Sequence, residues 1–489
     1  MKSITSDALA EAGADAERNG AASSPAPFPS TVSQRCAQWA AAVQFEDFPP
    51  ALRDAARWRL LDTLGGGLAA TALPAAQSVS AALDDLDDGA DGPADVLGGG
   101  RAGTPWAALA NGTLFHALIF DDTHNETIIH PDSVIVATAL AVAQATHASG
   151  RAFLTALLAG SELACRIGLA AVRRFHAAGF QPTAVVGPLA AAFAAGRLYG
   201  LDARRIAHAA GIAGSFASGI IESWADGAWA QLLHPGWGAH GGITAAALAK
   251  RGFTGPATVI EGHAGVFSTH TRAGGAPFAF ARITEGLGER WESEQIAFKP
   301  YPCGHVIHPF LDAVLALHRA GLKAEDVERI VCPIADYMIG VVCEPVAQKR
   351  RPQSDAQART SLQYSLAEAL VLGRLDACGY REASLRDPRI LALADKIDFR
   401  VDETAPDSRT YKGWVIVRTV EGRVLEHVEA SARGSVAHPM TEAELRAKFD
   451  ANAALRLSSA GAQRVADLVF GIEALPDLDA LMRACRGER

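Results

Sequence analysis

The sequence predicts a mainly α protein, in which a large all-helical domain, discontinuous in sequence, is interrupted by a smaller α+β lid domain. Three observations support this prediction. Residues 33–290 are rich in alanine and contain apolar segments that glycine and proline separate, as expected for packed helices. Near residue 295 the chain becomes rich in β-branched residues, and after Pro439 helical patterning returns.

These changes in composition give the predicted boundaries. Residues 1–32 are rich in alanine, serine and proline, so we expect a disordered segment without the apolar core of a secretory signal. The helical domain is expected over residues 33–294 and again over 438–489, and these two ranges together are named the body. The α+β domain is expected over residues 295–437 and is named the lid.

Individual elements follow from local patterns. In the stretch FPPALRDAARWRLLDTLGGGLAA, a helix should begin near Pro50 and end at the three glycines 65–67. In the lid, VERIVCPI has strand composition, LQYSLAEALVLGRL has helical patterning, and KGWVIVRTVEGRVLEHVEA predicts a hairpin that turns at Glu421 and Gly422. Thr441 and Glu444 have the spacing of a helix-capping box.

Composition excludes several classes of protein. The net charge is −9 and no basic stripe is visible, so nucleic acid is not an expected partner. Seven cysteines without a CxxC pair predict neither a disulfide framework nor a zinc ribbon, and favour a reducing, cytoplasmic location. Two apolar segments, SVIVATALAVAQATHASG and TAVVGPLAAAFAAGRLYG, are shorter than the about 20 apolar residues of a membrane span, so no membrane association is expected.

The stretch DDTHNETIIHP, residues 121–131, places acids and imidazoles between two apolar segments. A metal site is disfavoured because His124 and His130 are six residues apart and cannot share one helical face. Helical spacing from Asn111 through Leu118 would place Asp122 at the end of a buried helix. Such groups suit proton transfer, although from this stretch alone a capped helix end is the favoured explanation.

A glycine-rich motif and four further polar clusters complete the candidates. The motif GGGRAG, starting at Gly98, is flanked by an acidic turn and helices and not by the βαβ unit of a dinucleotide site, so a simple glycine turn is favoured. Polar residues next to glycine or proline elsewhere predict loops that position functional groups. These residues are Gln181, Gln231, His234, Lys299, His305 and Tyr364.

The order of the motifs FPPALRDAARWRLLDTLGG, NGTLFHALIFDDTH…HP, GFQPT, LLHPGWGAHGG, KPYPCGHVIHP and HPMTEAELRAKF resembles the MmgE/PrpD family over nearly the whole chain. The resemblance implies a large discontinuous helical domain with an α+β lid, a homodimer, and catalysis without a metal ion or organic cofactor. It also implies an active site between the two domains. By motif, that site contains Asp122, Thr123, His130, His234, Lys299, His305 and Tyr364.

The chain departs from the decarboxylase branch of this family at three positions of the implied site. Gln181 stands where that branch has histidine, Gln231 where it has lysine, and Ile119 where it has aspartate. The spacer between Thr123 and His130 is also one residue longer. Glutamine cannot carry a proton at neutral pH, so the two glutamines should bind substrate rather than transfer protons.

The resulting functional prediction is a cofactor-independent lyase that resembles 2-methylcitrate dehydratase and removes a proton next to a carboxylate of a small polycarboxylate. His130 would be the base, Lys299 or His305 would anchor a carboxylate, and Tyr364 would be the acid, with Asp122 also catalytic. An epimerase or a decarboxylase acting on a related acid remains an alternative. A catalytically inactive paralogue that binds an organic acid is the alternative from another class.

Overall fold

The computed structural model describes residues 28–87, 91–272, 274–406 and 410–487. The first described helix is Val32–Ala42, and Thr31 caps it by accepting a hydrogen bond from the backbone of Gln34. Residues 28–32, which were predicted to be disordered, therefore belong to the described structure. The predicted disorder of residues 1–27 lies outside the described residues.

The body is built from helices that bury apolar faces against one another. The longer ones are Val32–Ala42, Pro50–Ala70, Pro74–Leu86, Thr104–His116, Pro131–Thr146, Gly150–Leu169, Pro182–Leu198, Ala203–Ala213 and His234–Lys250. Short helices lie at Arg174–Ala178, Ser223–Asp226, Val266–Thr269 and Ala281–Thr284. Helix His234–Lys250 packs on both Pro182–Leu198 and Thr104–His116, which makes these three helices the centre of the body.

The three glycines at 65–67 do not end their helix, and that prediction is wrong. Helix Pro50–Ala70 continues through all three glycines. Two of them lie where side chains from elsewhere in the chain come close to the helix backbone. A Cβ atom on Gly65 would come within 2.9 Å of the Phe449 ring, and one on Gly67 within 2.7 Å of Phe115. At these positions glycine leaves space for neighbouring side chains and does not form a turn.

The glycine turn expected near Gly98 is confirmed. Gly98, Gly99 and Gly100 all have positive φ and connect two short antiparallel strands, Ala94–Asp95 and Arg101–Ala102. Helix Thr104–His116 begins directly after Gly103, but the glycines connect the strands of a hairpin and not the strand and helix of a βαβ unit, which a dinucleotide site would need.

The lid contains a four-stranded mixed sheet with helices against it. Its strand order is Ile397–Val401, Val327–Ile334, Gly413–Thr419 and Val424–Glu429, and only the first pair is parallel. The hairpin predicted around Glu421 and Gly422 is confirmed by the last pair. The helices are His308–Arg319, Asp336–Val342, Val346–Arg350, Asp355–Ala358, Leu362–Leu372, Glu382–Leu385 and Pro388–Ala394.

The last helices of the chain are Glu442–Ala453, Ser459–Phe470 and Asp479–Cys485. The predicted capping box is present at the first, where Thr441 and Glu444 each accept a hydrogen bond from the other's backbone N–H. Helix Glu442–Ala453 packs on helix Pro50–Ala70, and its Phe449 belongs to the same apolar core as the early helices. A separate core is formed by buried residues between 301 and 432. Where one folding unit ends and the next begins remains a prediction.

One helix, Gly150–Leu169, is long and apolar enough to cross a membrane by length and composition. In this structure 94% of its most apolar window is buried inside the protein. Its apolar surface is therefore accounted for by packing on other helices of the body.

A buried ion pair fixes the last helices to the first ones. The Lys448 ammonium lies 2.7 Å from an Asp62 carboxylate oxygen and donates to the Phe120 carbonyl at 3.1 Å, and both charged side chains are less than 10% exposed. Loss of one partner leaves a buried charge uncompensated, which costs about 3–5 kcal/mol. We therefore expect Lys448→Met to lower the free energy of unfolding by about 3–5 kcal/mol in denaturant titrations.

Arg446→Met on the same helix is the matched control. Its partner Asp450 lies on the surface, and such pairs contribute about 0–1 kcal/mol. A Lys448→Met protein as stable as the Arg446→Met protein would show that the ion pair does not hold this helix on the body.

Candidate active site

The stretch 121–131 is a loop and not a helix end, so the predicted helical stripe from Asn111 to Asp122 is wrong. Helix Thr104–His116 ends at His116, and the next helix begins at Pro131. Ile119 in between has a φ of 53°, a left-handed conformation that stops helical continuation. Within the loop, strand Thr123–His124 pairs with Ile296–Ala297, which brings it against the first residues of the lid.

A cavity of about 440 Å³ lies between this loop, the body helices and the lid. Six of the nine predicted site residues line it, although they come from four separate parts of the chain. These are Thr123, His130, Gln181, Gln231, Lys299 and His305. Asp122, His234 and Tyr364 do not line it.

His130 is held in one tautomer by the loop. Its Nδ1 atom lies 2.7 Å from the Asp122 carbonyl oxygen, which can only accept, so Nδ1 carries the proton. The lone pair is therefore on Nε2, the atom left to act on a ligand in the cavity. Burial, with help from the Lys299 charge, lowers the pKa of His130 to about 3, so the ring is neutral near pH 7.

Lys299 is the buried cation of the cavity. Its ammonium lies 3.5 Å from His130 Nδ1, 3.3 Å from the Ile119 carbonyl and 3.7 Å from a carboxylate oxygen of Asp121. Burial lowers the pKa of Lys299, whereas the Asp121 charge raises it. Burial by itself would raise the pKa of Asp121, but the interactions with His116, His130 and Lys299 lower it, so this carboxylate is ionised.

The two adjacent aspartates thus have different positions from those expected. Asp121, which the sequence did not single out, is the counterion of Lys299. The Asp122 carboxylate accepts from the backbone of Asp132 instead, and burial next to the Asp132 and Asp121 charges raises its pKa. Asp122 contacts His130 through its carbonyl, which orients the ring, and its catalytic role stays a prediction.

Gln181 lies at the centre of a chain of hydrogen bonds. Its amide nitrogen is 3.3 Å from His116 Nε2, and its oxygen accepts from His234 Nδ1 at 2.6 Å. His116 Nδ1 in turn bonds Asp121 at 2.8 Å. His234, predicted to bind substrate directly, therefore acts on the cavity through Gln181. His116 was missed, although it stands in the quoted stretch NGTLFHALIF.

Gln231 and His305 occupy other parts of the cavity wall. The Gln231 side-chain oxygen accepts from the indole N–H of Trp224, which orients the amide. Both ring nitrogens of His305 are buried without a hydrogen-bond partner in the described part of the chain, and burial lowers its pKa well below the usual range. A neutral ring with unused polar atoms at a cavity wall is suited to bind a ligand.

Tyr364 lies in the apolar core of the lid, where its side chain is fully buried against Tyr380. Burial raises the pKa of its hydroxyl, and among the described residues that hydroxyl has no hydrogen-bond partner. Its expected role as the acid is not supported by this position, because helix Leu362–Leu372 directs it into the lid and not to the cavity.

Several lining residues were not singled out in the sequence, although Ile128 lies within the stretch 121–131 itself. They are Ile128, Arg173, His176, Ile221, Trp224, Tyr337 and Tyr411, among others. Arg173 is a cation at the junction of body and lid, with its guanidinium 3.8 Å from the centre of the Tyr337 ring. Within the described ranges, no group of three or more histidine, cysteine or acidic side chains is arranged to hold a metal ion.

Fold and site together define a mainly α enzyme with a buried acid–base site between a helical body and a small α+β unit. The chain belongs to the MmgE/PrpD family: the model of the MmgE/PrpD N-terminal domain matches residues 34–279, and that of the C-terminal domain matches residues 301–472.

The chain is similar over most of its length to enzymes of this family. It is 25% identical to the cis-aconitate decarboxylase-like protein oryM of Aspergillus oryzae, covering 94% of this chain and 98% of that protein. It is 27% identical to cis-aconitate decarboxylase of Homo sapiens, covering 88% and 89%. It is 26% identical to 2-methylcitrate dehydratase of Escherichia coli, covering 77% and 80%. Decarboxylases therefore match over more of the chain than the dehydratase does.

The buried histidines predict how stability depends on pH. Burial lowers the pKa of His124 to about 4 and that of His130 to about 3, against about 6.5 in an unfolded chain. The unfolded state then binds more protons as pH falls below about 6.5, so stability is lost between about pH 6.5 and 3. Each histidine should lower the free energy of unfolding by about 2 kcal/mol between pH 7 and pH 5.

Denaturant titrations at the two pH values test this expectation. His130→Gln should lose about 2 kcal/mol less than the wild type on acidification. His263→Gln, at an exposed position outside the site, is the control and should follow the wild type. Equal losses in all three proteins would mean that His130 is not held neutral.

Proposed function

We propose that this chain is a lyase that forms a carbanion next to a carboxylate group, with no metal ion or organic cofactor. One observation carries the proposal: a neutral histidine, fixed in a single tautomer, lies beside a fully buried lysine in a cavity between body and lid. The histidine moves a proton at carbon, and the lysine stabilises the negative charge that develops on the carboxylate.

The same two groups serve decarboxylation. The bond to the departing carboxylate breaks, its electrons remain on the carbon, and carbon dioxide leaves. An anionic substrate raises the pKa of His130, so that Nε2 can arrive protonated and deliver that proton to the carbanion. We place decarboxylation first, because the decarboxylases named above align over more of the chain.

Dehydration is the second candidate and is favoured by the neutral state of His130 in the free protein. Nε2 would take the proton next to the carboxylate, and hydroxide would leave from the neighbouring carbon. Tyr364, predicted as the acid for this departure, has its side chain in the lid core and does not line the cavity. An inactive acid-binding paralogue is disfavoured by the ordered His130, Lys299 and Asp121 arrangement, which binding alone does not require.

The substrate should carry fewer carboxylates than cis-aconitate. Gln181 and Gln231 are neutral, whereas the resemblance implies a histidine and a lysine at these positions in the decarboxylase branch. A charge-assisted hydrogen bond contributes about 1.5–3 kcal/mol. An amide in place of a cation therefore lowers the affinity for an added carboxylate roughly 10–100-fold. We expect the Gln181→His, Gln231→Lys double variant to gain tricarboxylate binding by about that factor.

Calorimetric titration of wild type, Gln231→Met and the double variant with cis-aconitate measures this gain. The methionine variant is the control, because it matches glutamine in length and adds no charge. Ordinary efficiency of the wild type on cis-aconitate or 2-methylcitrate would contradict the expectation about carboxylate number.

The reaction is tested with ¹³C-carboxyl-labelled di- and tricarboxylates, followed by ¹³C NMR. Labelled carbon dioxide identifies decarboxylation, whereas a new alkene with all carboxyl carbons retained identifies dehydration. A protein that binds these acids in calorimetry and leaves every one unchanged would overturn the proposal in favour of the binding paralogue.

We further propose a cytoplasmic homodimer. All seven cysteines are free thiols, and six of them are buried, which suits a reducing compartment. Helix His234–Lys250 and the turn after it carry Trp237, Leu248 and Phe253, which are 37–60% exposed. Large apolar side chains exposed on one face support a dimer interface that covers this face. Light scattering with size-exclusion chromatography tests the dimer.

A further inference from the structure

Part of the lid side of the cavity is apolar. Val306, Met338, Val341 and Val342 line this part from the turn His305–Ile307 and the helix Asp336–Val342. Val341 is 37% exposed, so this apolar wall continues from the buried part of the cavity to the surface. The cavity therefore has an apolar patch on the lid beside its polar groups, of which Lys299 and His305 also belong to the lid.

Backbone strain is concentrated at the same cavity. Ile119 and Ile128 have φ of 53° and 57°, and Arg173 has 63°, although β-branched residues rarely adopt left-handed conformations. Five non-glycine residues in the described ranges have positive φ, and three of them line this cavity. Strain that persists in a fold indicates a functional constraint, and here it accompanies two apolar side chains at the cavity wall.

The cations that line the cavity can balance the charge of one deeply bound carboxylate. None of the residues that line the cavity is an aspartate or a glutamate, and the permanent cations among them are Lys299 and Arg173. Lys299 is already partly neutralised by Asp121, and Arg173 is half-buried at the junction of body and lid. A carboxylate against the valines and Met338 would lose its hydration without a partner, which is strongly unfavourable.

We propose that the substrate is a carboxylate with an alkyl or aryl substituent, bound with its carboxylate at Lys299 and its substituent against helix Asp336–Val342. This inference rests on the proposed function, because that function places the carboxylate at Lys299. The volume of 440 Å³ lies in the range of about 300–1,000 Å³ found for pockets that enclose drug-sized ligands.

The test is calorimetric titration with succinate, methylsuccinate, ethylsuccinate and butylsuccinate. Burial of one methylene tightens binding about fourfold, so we expect Kd to fall about fourfold for each added carbon. Val341→Asp should reduce the ratio of the succinate Kd to the butylsuccinate Kd at least tenfold. Val428→Asp, on the exposed face of the lid hairpin, is the control and should leave this ratio unchanged.

The outcomes separate the two proposals. If Kd stays constant or rises along the series while Lys299→Met loses succinate binding, the proposed contact between the substituent and helix Asp336–Val342 is wrong. The proposed function is then still supported. Succinate binding that survives unchanged in Lys299→Met contradicts the proposed function itself. A Val341→Asp ratio equal to that of the wild type places the substituent elsewhere and also overturns the inference.

Discussion

His130→Gln should lower turnover by about 10²–10⁴-fold, the usual contribution of a general acid–base group. Glutamine can replace the hydrogen bond to the Asp122 carbonyl, but it has no basic nitrogen to exchange a proton with carbon. The variant should fold normally, because the ring contacts the cavity and leaves the apolar core intact. Steady-state kinetics and thermal unfolding of the same preparation measure both effects.

His124→Gln is the matched control in the same loop. His124 is equally buried, but its Nδ1 atom bonds Thr127 at 2.8 Å and its ring does not line the cavity. We expect a change in turnover below about threefold for this variant, since it is outside the proton path. Turnover in His130→Gln as high as in His124→Gln would remove His130 from the chemistry.

Lys299→Met should lose both activity and stability. Removal of a buried stabilising charge typically costs about 10²–10³-fold in turnover. The same change leaves Asp121 buried without its cation, which costs about 3–5 kcal/mol of folding free energy. The two losses have different causes and are therefore separable by a second substitution.

The double variant Lys299→Met, Asp121→Asn separates them. Neutralising Asp121 removes the unpaired charge, so stability should return to within about 1–2 kcal/mol of the wild type. Activity should remain at the level of the single variant, because the cation is still missing. Recovery of activity together with stability would show that Lys299 has only a structural role.

The sequence predicted those elements whose determinants are local. The hairpin 413–429 and the capping box at Thr441 follow from short patterns and are present in the structure. The glycines at 65–67 were misread because their role depends on Phe449, almost 400 residues later in the chain. No local pattern contains such a contact.

The candidate site shows the same difference between features set by local sequence and features set by distant contacts. His130 and Lys299 were identified, and the structure brings them within 3.5 Å. Which of Asp121 and Asp122 lies next to Lys299 depends on the left-handed backbone at Ile119, which changes the direction of the loop after helix Thr104–His116. Tyr364 was expected as the acid from its polar cluster and from the resemblance, whereas its direction is set by packing against Tyr380 inside the lid.

The most direct test of the central claim is proton NMR of a substrate incubated with the protein in D₂O. We expect deuterium on the carbon next to a carboxylate, in product or recovered substrate. We also expect this labelling to fall by about 10²-fold or more in His130→Gln and to persist in His124→Gln. Turnover without carbon-bound deuterium, or labelling that is unchanged in His130→Gln, would contradict the proposed carbanion chemistry at His130.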